Sequence, residues 1–539
     1  SVTFCTMLKE IQVKEGNPYH LAADGVLYEK DRAGLKLAAY PSKREASAYQ
    51  VLDGTVKIAS DAFPGTEKLH ALVLPESLRE LDWGAVRAGH MQEIYIPASV
   101  TAMSIHCIGY DYMDMPIPGF RIMGVPGSAA ESYAAENGFE FVPVTQTVFT
   151  VHYDAGEGTG APEDQQRTLS TALALSERIP TRPGYTFLGW DTDASAAMLR
   201  YKPGDLFAEN ADVTLYAVWI QGDVTASGIC GDNLFWYVDD AGTLTVSGTG
   251  AMYDYTVSSS GQPSAPWADL NVNAIVVGEG VTQIGQFAFW NIRGLTTPPT
   301  LPTTLKRIQD CAFTNCWDLS GILVLPEGLE SIGMSAFASC EKLTTVYVGA
   351  NVQSIEQNAF FRYEGAPLRV LYAGSREQWE AIVDSTAVNP ELSSIHYNAR
   401  CPQASEGGLC GDALHWYYEN GSLTIAGDGT MYDYTQENPA PWDSYGMEIR
   451  SVEVQERCAS IGARAFWDCA NLTTISLPRT VRAIGDEATL NCGKLNAVLY
   501  AGSRSDFNRI TVGKGNEILR AAALQLGGAV EDQPVHHHL

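Results

Sequence analysis

Residues 332–348 read Ile332-Gly333-Met334-Ser335-Ala336-Phe337-Ala338-Ser339-Cys340-Glu341-Lys342-Leu343-Thr344-Thr345-Val346-Tyr347-Val348, and this stretch decides the fold. Its anchors return one period earlier at Ile308, Ala312, Phe313, Cys316, Leu319, Ile322 and Val324. Ile284, Ile308, Ile332 and Ile355 lie 24, 24 and 23 residues apart. A fixed period of this length means one structural unit copied in series, each copy burying its apolar side only against its neighbours. Such a stack leaves a long continuous surface free, and nothing in the repeated phrase does chemistry.

The phrase recurs on both sides. Towards the front, Ile58, Ala62, Phe63, Leu69, Leu72 and Leu74 are echoed by Leu81, Ala85, Val86, Met91, Ile94 and Ile96. Towards the end, Ile461, Ala465, Phe466, Cys469, Leu472, Ile475 and Leu477 are echoed by Ile484, Ala488, Cys492, Leu495, Val498 and Tyr500. Cys5, Leu8, Ile11 and Val13 carry the same spacing, so the first residues are expected to lie inside a repeat. A 20–29-residue period with Leu-x-x-Leu-type strands predicts leucine-rich solenoids. The fold class expected is β-rich α+β: solenoids with short capping helices and one small β module.

The cysteines follow the repeat. Cys5, Cys316, Cys340, Cys469 and Cys492 share one position, where a stacked thiol acts as a small apolar filler. The column is expected to be reduced and buried, although neighbours such as Cys316 and Cys340 come close enough for an occasional bond. Cys401 and Cys410 leave a local pair open.

Composition narrows the partners. With 63 acidic against 35 basic residues, the formal charge of −28 repels nucleic acid and anionic membranes. No apolar run approaches the ~20 residues of a membrane span. His536-His537-His538, in a tail over 531–539, match a tag remnant better than a metal site.

Four units are expected. The first solenoid, 1–144, closes with a helix that Ser128 and Glu131 cap and Gly138 stops. Residues 145–221 lack the repeat and alternate strand and turn: Val148–Tyr153, a glycine-rich turn at 154–160, Gly184–Trp190 and Val213–Trp219. A cassette then occurs twice, over 222–400 and, shorter, over 401–530. Cys230-Gly-Asp, Trp236, Tyr253-Asp-Tyr255 and Trp267 match Cys410-Gly-Asp, Trp416, Tyr432-Asp-Tyr434 and Trp442. Each copy opens on a hairpin, enters repeats and ends in a helix begun by Ser375 or Ser503.

Tyr153-Asp-Ala-Gly, Arg182-Pro-Gly-Tyr-Thr-Phe-Leu-Gly-Trp190 and Val213-Thr-Leu-Tyr-Ala-Val-Trp219 resemble the internalin-type B repeat, also called the Listeria–Bacteroides repeat, which implies a β-grasp-like module. The Ile-Gly-x-x-Ala-Phe-x-x-Cys anchors and Leu325-Pro326-Glu-Gly-Leu329 resemble BspA-like leucine-rich repeat proteins. That resemblance implies a bacterial protein, secreted or on the cell surface, that adheres to host or microbial partners. It implies no catalytic residues.

A direct search for catalysis agrees. There is no His-Glu-x-x-His, Gly-x-Ser-x-Gly, Walker loop or calcium loop, and the scattered histidines lack metal-ligand spacing. No enzyme, cofactor or metal is therefore expected. The function expected is non-enzymatic adhesion to an extracellular protein or glycan. The alternatives are a spacer that displays another domain from the cell wall, and a carbohydrate-binding protein using the cap aromatics. In each repeat strand the residue between two core anchors should point outwards. Those residues include Tyr95, Leu323, Tyr347 and Leu499, alongside Gln12, Val73 and Ser476. Apolar residues on an open face mark a partner site, unless neighbouring repeats or modules cover them.

Overall fold

A computed structural model describes residues 8–364, 368–383, 394–396 and 407–526. Cys5, Cys401 and the histidine tail lie outside the described residues. The chain divides into two compact units, 1–223 and 224–539.

The first unit opens with an antiparallel meander, His20–Ala23, Val26–Asp31 and Gly34–Ala39. Its first turn places Asp24 and Gly25 at φ 51° and 76°, the backbone an Asp-Gly hairpin requires. The sequence reading missed this element, although the Asp-Gly signal was there. Each following repeat then adds one short parallel strand to each of two columns. Thr55–Ile58, Glu80–Leu81 and Ala102–Met103 extend the meander. Ala48–Gln50 pairs with Ala71–Val73, and Arg121–Gly124 lies between Glu93–Tyr95 and Glu140–Pro143, paired to both. Between the columns lies a core of Val26, Tyr28, Ile58, Phe63, Leu81 and Ile94, among others.

A helix at Ala129–Asn137 ends this stack. Gly138 stops it at φ 71°, as its sequence position predicts. The expected capping box is half formed: Glu131 accepts from Gly127 N at 2.6 Å, but the Ser128 hydroxyl makes no cap bond. Residues 145–221 form a four-stranded sheet in the order Gln165–Thr168, Val148–Asp154, Val213–Gln221, Tyr185–Asp191. The central pair is parallel and the outer pairs antiparallel. Trp190, Phe207, Tyr153 and Leu215 fill its core.

The second unit repeats the scheme twice. Val224–Gly231, Leu234–Asp239 and Thr243–Gly248 form an antiparallel opening to which Ala274–Val277 adds in parallel. Gly250–Ala251, Val281–Ile284, Arg307–Ile308, Ser331–Ile332 and Ser354–Ile355 make one parallel column. Gly321–Val324, Leu343–Val348, Arg369–Tyr372 and Ser394–His396 make the other. Pro298 and Pro299 interrupt this second column, leaving a single bridge between Val276 and Thr300. Inside, the Ala-Phe phrase becomes a ring stack: Trp267, Phe289, Phe313, Phe337 and Phe360 follow at 5.0–5.6 Å. Trp267, edge-on to Trp236 of the opening hairpin at 5.5 Å, also donates to Ala288 O at 2.7 Å and so links that hairpin to the first repeat.

The final stack opens on Gly411–Glu419 and Ser422–Met431, which pair antiparallel. Ser451–Val454, Thr474–Leu477, Ala497–Tyr500 and Ala523–Leu526 then run parallel. Trp442 repeats the bond of Trp267, donating to Ala465 O at 2.7 Å. Helices Arg376–Ile382 and Arg504–Asn508 begin in complete capping boxes, Ser375 with Gln378 and Ser503 with Asp506.

Candidate ligand-binding faces

The outward positions of the strands divide by what covers them. Tyr95 is 9 % exposed and packs with Phe149 and Leu169 of the β module. Arg167, buried in that module, donates to Leu169 O, Glu209 O and Asn210 Oδ1 and so fixes the loops that press on Tyr95. Burial lowers its guanidinium to about 10. Gln50, on the same face, accepts from Ala172 N at 2.7 Å. Burial, then the Glu76 carboxylate, raises the Tyr95 phenol above its ordinary range.

Tyr347 is likewise covered, at 2 % exposure. With Leu371 it joins the core of the final stack, beside Leu409 and Trp416, and its hydroxyl bonds Glu327 at 2.5 Å. Val73 is buried, Gln12 is exposed and Ser476 is half-buried.

Leu323 corrects the expected register. It is fully buried, aligned with Val346, while Ile322 and Val324 are 38 % and 37 % exposed. The cause is one extra residue. Six positions separate Leu319 from Leu325, where five separate Leu343 from Val348, and the strand pairing shifts between Gly321 and Ile322. Gly321 takes φ 86°, and a one-residue bulge exchanges the two faces of everything after it.

Leu499 keeps its outward position at 37 % exposure. It lies in register with Glu453, Ser476 and Gln525 on neighbouring strands. These four residues form the open row of the final stack.

The cysteine column runs through the interior. Cys316, Cys340, Cys469 and Cys492 are free thiols at 0–3 % exposure. Cys316, Cys340 and Cys492 donate to the carbonyl oxygens of Phe289, Phe313 and Phe466 at 3.0–3.3 Å. Burial pushes Cys316 and Cys492 up to about 12 and raises Cys340 and Cys469 well above the ordinary thiol value. Cys410 is also a buried free thiol.

The strands, the ring stack and the thiol column recur at one period, and the BspA type Leucine rich repeat region matches six copies over 39–111, 266–365 and 444–510. The Listeria-Bacteroides repeat domain matches 149–218. The chain carries BspA-type leucine-rich repeats and a Listeria–Bacteroides repeat domain. Solved structures similar to it include a leucine-rich repeat protein from Eubacterium ventriosum, 16 % identical over 52 % of this chain and 73 % of that one, with TM-score 0.22. A leucine rich cell surface protein from Faecalibacterium prausnitzii is 17 % identical over 54 % and 98 %, TM-score 0.18. The pneumococcal vaccine antigen PcpA is 16 % identical over 57 % and 88 %, TM-score 0.20. No curated protein matches the chain. Within the BspA-type repeats, the described face positions are thus partly structural and partly open.

Proposed function

We propose that this chain is a non-enzymatic, extracellular binding protein of a bacterial surface that adheres to a protein or glycan through open strand positions of its BspA-type repeats. The open row Glu453, Ser476, Leu499 and Gln525 carries the reading, because an apolar residue flanked by polar ones on a rigid parallel sheet is the composition of a contact surface. The match to the BspA type leucine rich repeat family supports the same reading. The organisation into 1–144, 145–221, 222–400 and 401–530 is part of this proposal and is supported by one main core within each, the last also taking in Tyr347 and Leu371. A β-grasp-like reading of 145–221 is supported by its central parallel pair.

The test is a binding screen of the whole chain against matrix proteins and glycans, repeated with Leu499→Lys. A partner lost in the variant, with the fold retained, supports the proposal. A chain with no affinity for anything in the screen is a spacer, and that result overturns it.

A further inference from the structure

The two cassettes are copies, so a place where they differ in charge is informative. In the final stack a groove of about 1100 Å³ is lined by Tyr418, Asn420, Met447, Arg450, Asn471 and Lys494, with Glu448 and Thr473 beside them. Lys494 Nζ donates to Asn471 Oδ1 at 2.7 Å, and Asn471 Nδ2 donates to Met447 O at 2.7 Å. At the same phase of the repeat in the preceding cassette, Lys342 forms an ion pair with Asp318 at 2.6 Å. The charge of Lys342 is therefore neutralised, whereas that of Lys494 rests against a neutral amide.

Arg450 shows the same difference. Its backbone N–H bonds Gly421 O at 2.7 Å, as that of Asn273 bonds Gly242 O at 2.9 Å, so the two residues occupy equivalent positions. The earlier cassette has an amide there and the later one a guanidinium. Glu448, the nearby acid, accepts from the Tyr418 hydroxyl at 2.9 Å. Among the described residues, neither Arg450 nor Lys494 has an ion-pair partner.

We propose that this groove binds a saccharide unit bearing a single carboxylate, with Arg450 and Lys494 taking the carboxylate and Asn420 and Thr473 meeting its hydroxyls. The claim deepens the binding-protein reading above and rests on it. The lining is mostly hydroxyl, amide and charge, which suits a polar sugar better than the apolar anchors of a peptide. One carboxylate fits better than a polyanion. The chain's net −28 repels a long anionic polymer. A single group reaching two cations instead sits inside the ~8 Å within which local charge outweighs the screened field.

The test is calorimetric titration of the whole chain with sialyllactose and with glucuronyl-galactose, each carrying one carboxylate. Lactose serves as the neutral control and a glutamate hexapeptide as the acidic one. Both acidic sugars should bind and lactose at least tenfold less tightly. Lys494→Gln, Arg450→Gln and Asn471→Asp, the last supplying the carboxylate that Asp318 supplies to Lys342, should each weaken binding about tenfold. Circular dichroism on each variant establishes that the fold is retained. Equal binding of lactose, tighter binding of the hexapeptide, unchanged affinity in all three variants, or no binding at millimolar sugar overturns the proposal. If a partner sensitive to Leu499→Lys is still found, the broader reading survives that failure.

Discussion

Gly462→Ala should break the junction between the final stack and its opening hairpin. A Cβ at Gly462 would overlap the Tyr432 carbonyl oxygen, well inside the 3.0 Å that real Cβ atoms respect. The obstacle is backbone, so the segment itself must move. It is held by Ala463 N–H to Asp433 Oδ1 at 2.7 Å and Tyr434 N–H to Ala463 O at 2.9 Å. Losing two such bonds costs about 1 kcal/mol each, and residual overpacking adds about 1–3 kcal/mol. The sum is about 3–5 kcal/mol, or roughly 10 °C in Tm for a stack of this size. Gly493→Ala is the control: nothing lies within 4 Å of its Cβ and its φ is ordinary, so it should be neutral or slightly stabilising. Thermal melts of both variants, with hydrogen exchange over 410–434, measure the difference. A Gly462→Ala melt within 2 °C of the parent would refute the reasoning.

Thiol reagents at pH 8 should leave Cys316, Cys340, Cys469 and Cys492 unmodified in the native protein and label them on denaturation. Burial and raised thiol pKa both oppose attack, so rapid native labelling of all four contradicts the packing. Tyr347→Ser should cost about 2–4 kcal/mol of stability and speed proteolysis within the second unit, because it removes a buried ring; a variant that loses only ligand affinity would return Tyr347 to a binding face. Asp114 should contribute to acid sensitivity, since the Arg87 hydrogen bond, with His106 beside it, holds its carboxyl below the usual range. That contribution is full above about pH 4, the unfolded carboxylate value, and fades as pH falls through the lower folded value. Asp114→Asn should therefore melt with a flatter acid dependence, and identical slopes would count against it.

The period, the thiol column and the ring stack were legible because stacking makes each of them a local rule. Ile, Phe and Cys recur where each coil meets the next, and burial follows from that position alone. The failure at Leu323 has a local cause too, since the extra residue at Gly321 was countable. What spacing does not reveal is long-range cover. Tyr95 and Tyr347 look alike in their repeats to Leu499, yet Phe149 and Leu169 cover the first and the hairpin of the last cassette covers the second. Those contacts join residues tens of positions apart and obey no period. The groove at Arg450 and Lys494 escaped notice for a different reason. Each residue is ordinary by itself, and only alignment of the two cassettes reveals that an acid facing the lysine has been withdrawn and a guanidinium added beside it.

A parallel ladder has two raw ends, each a row of unsatisfied amides able to recruit another strand. Here each stack begins against an antiparallel meander or hairpin and the first two are followed by helices, Ala129–Asn137 and Arg376–Ile382. The two ends are therefore chemically unlike, and one molecule's tail offers no template for another molecule's head. Growth stops by construction, which keeps a chain built for indefinite repetition from assembling into fibres. The same asymmetry sets a condition on dissection: a fragment cut between Ile308 and Ile332 would expose the ladder in mid-run and convert a finite protein into an aggregating one.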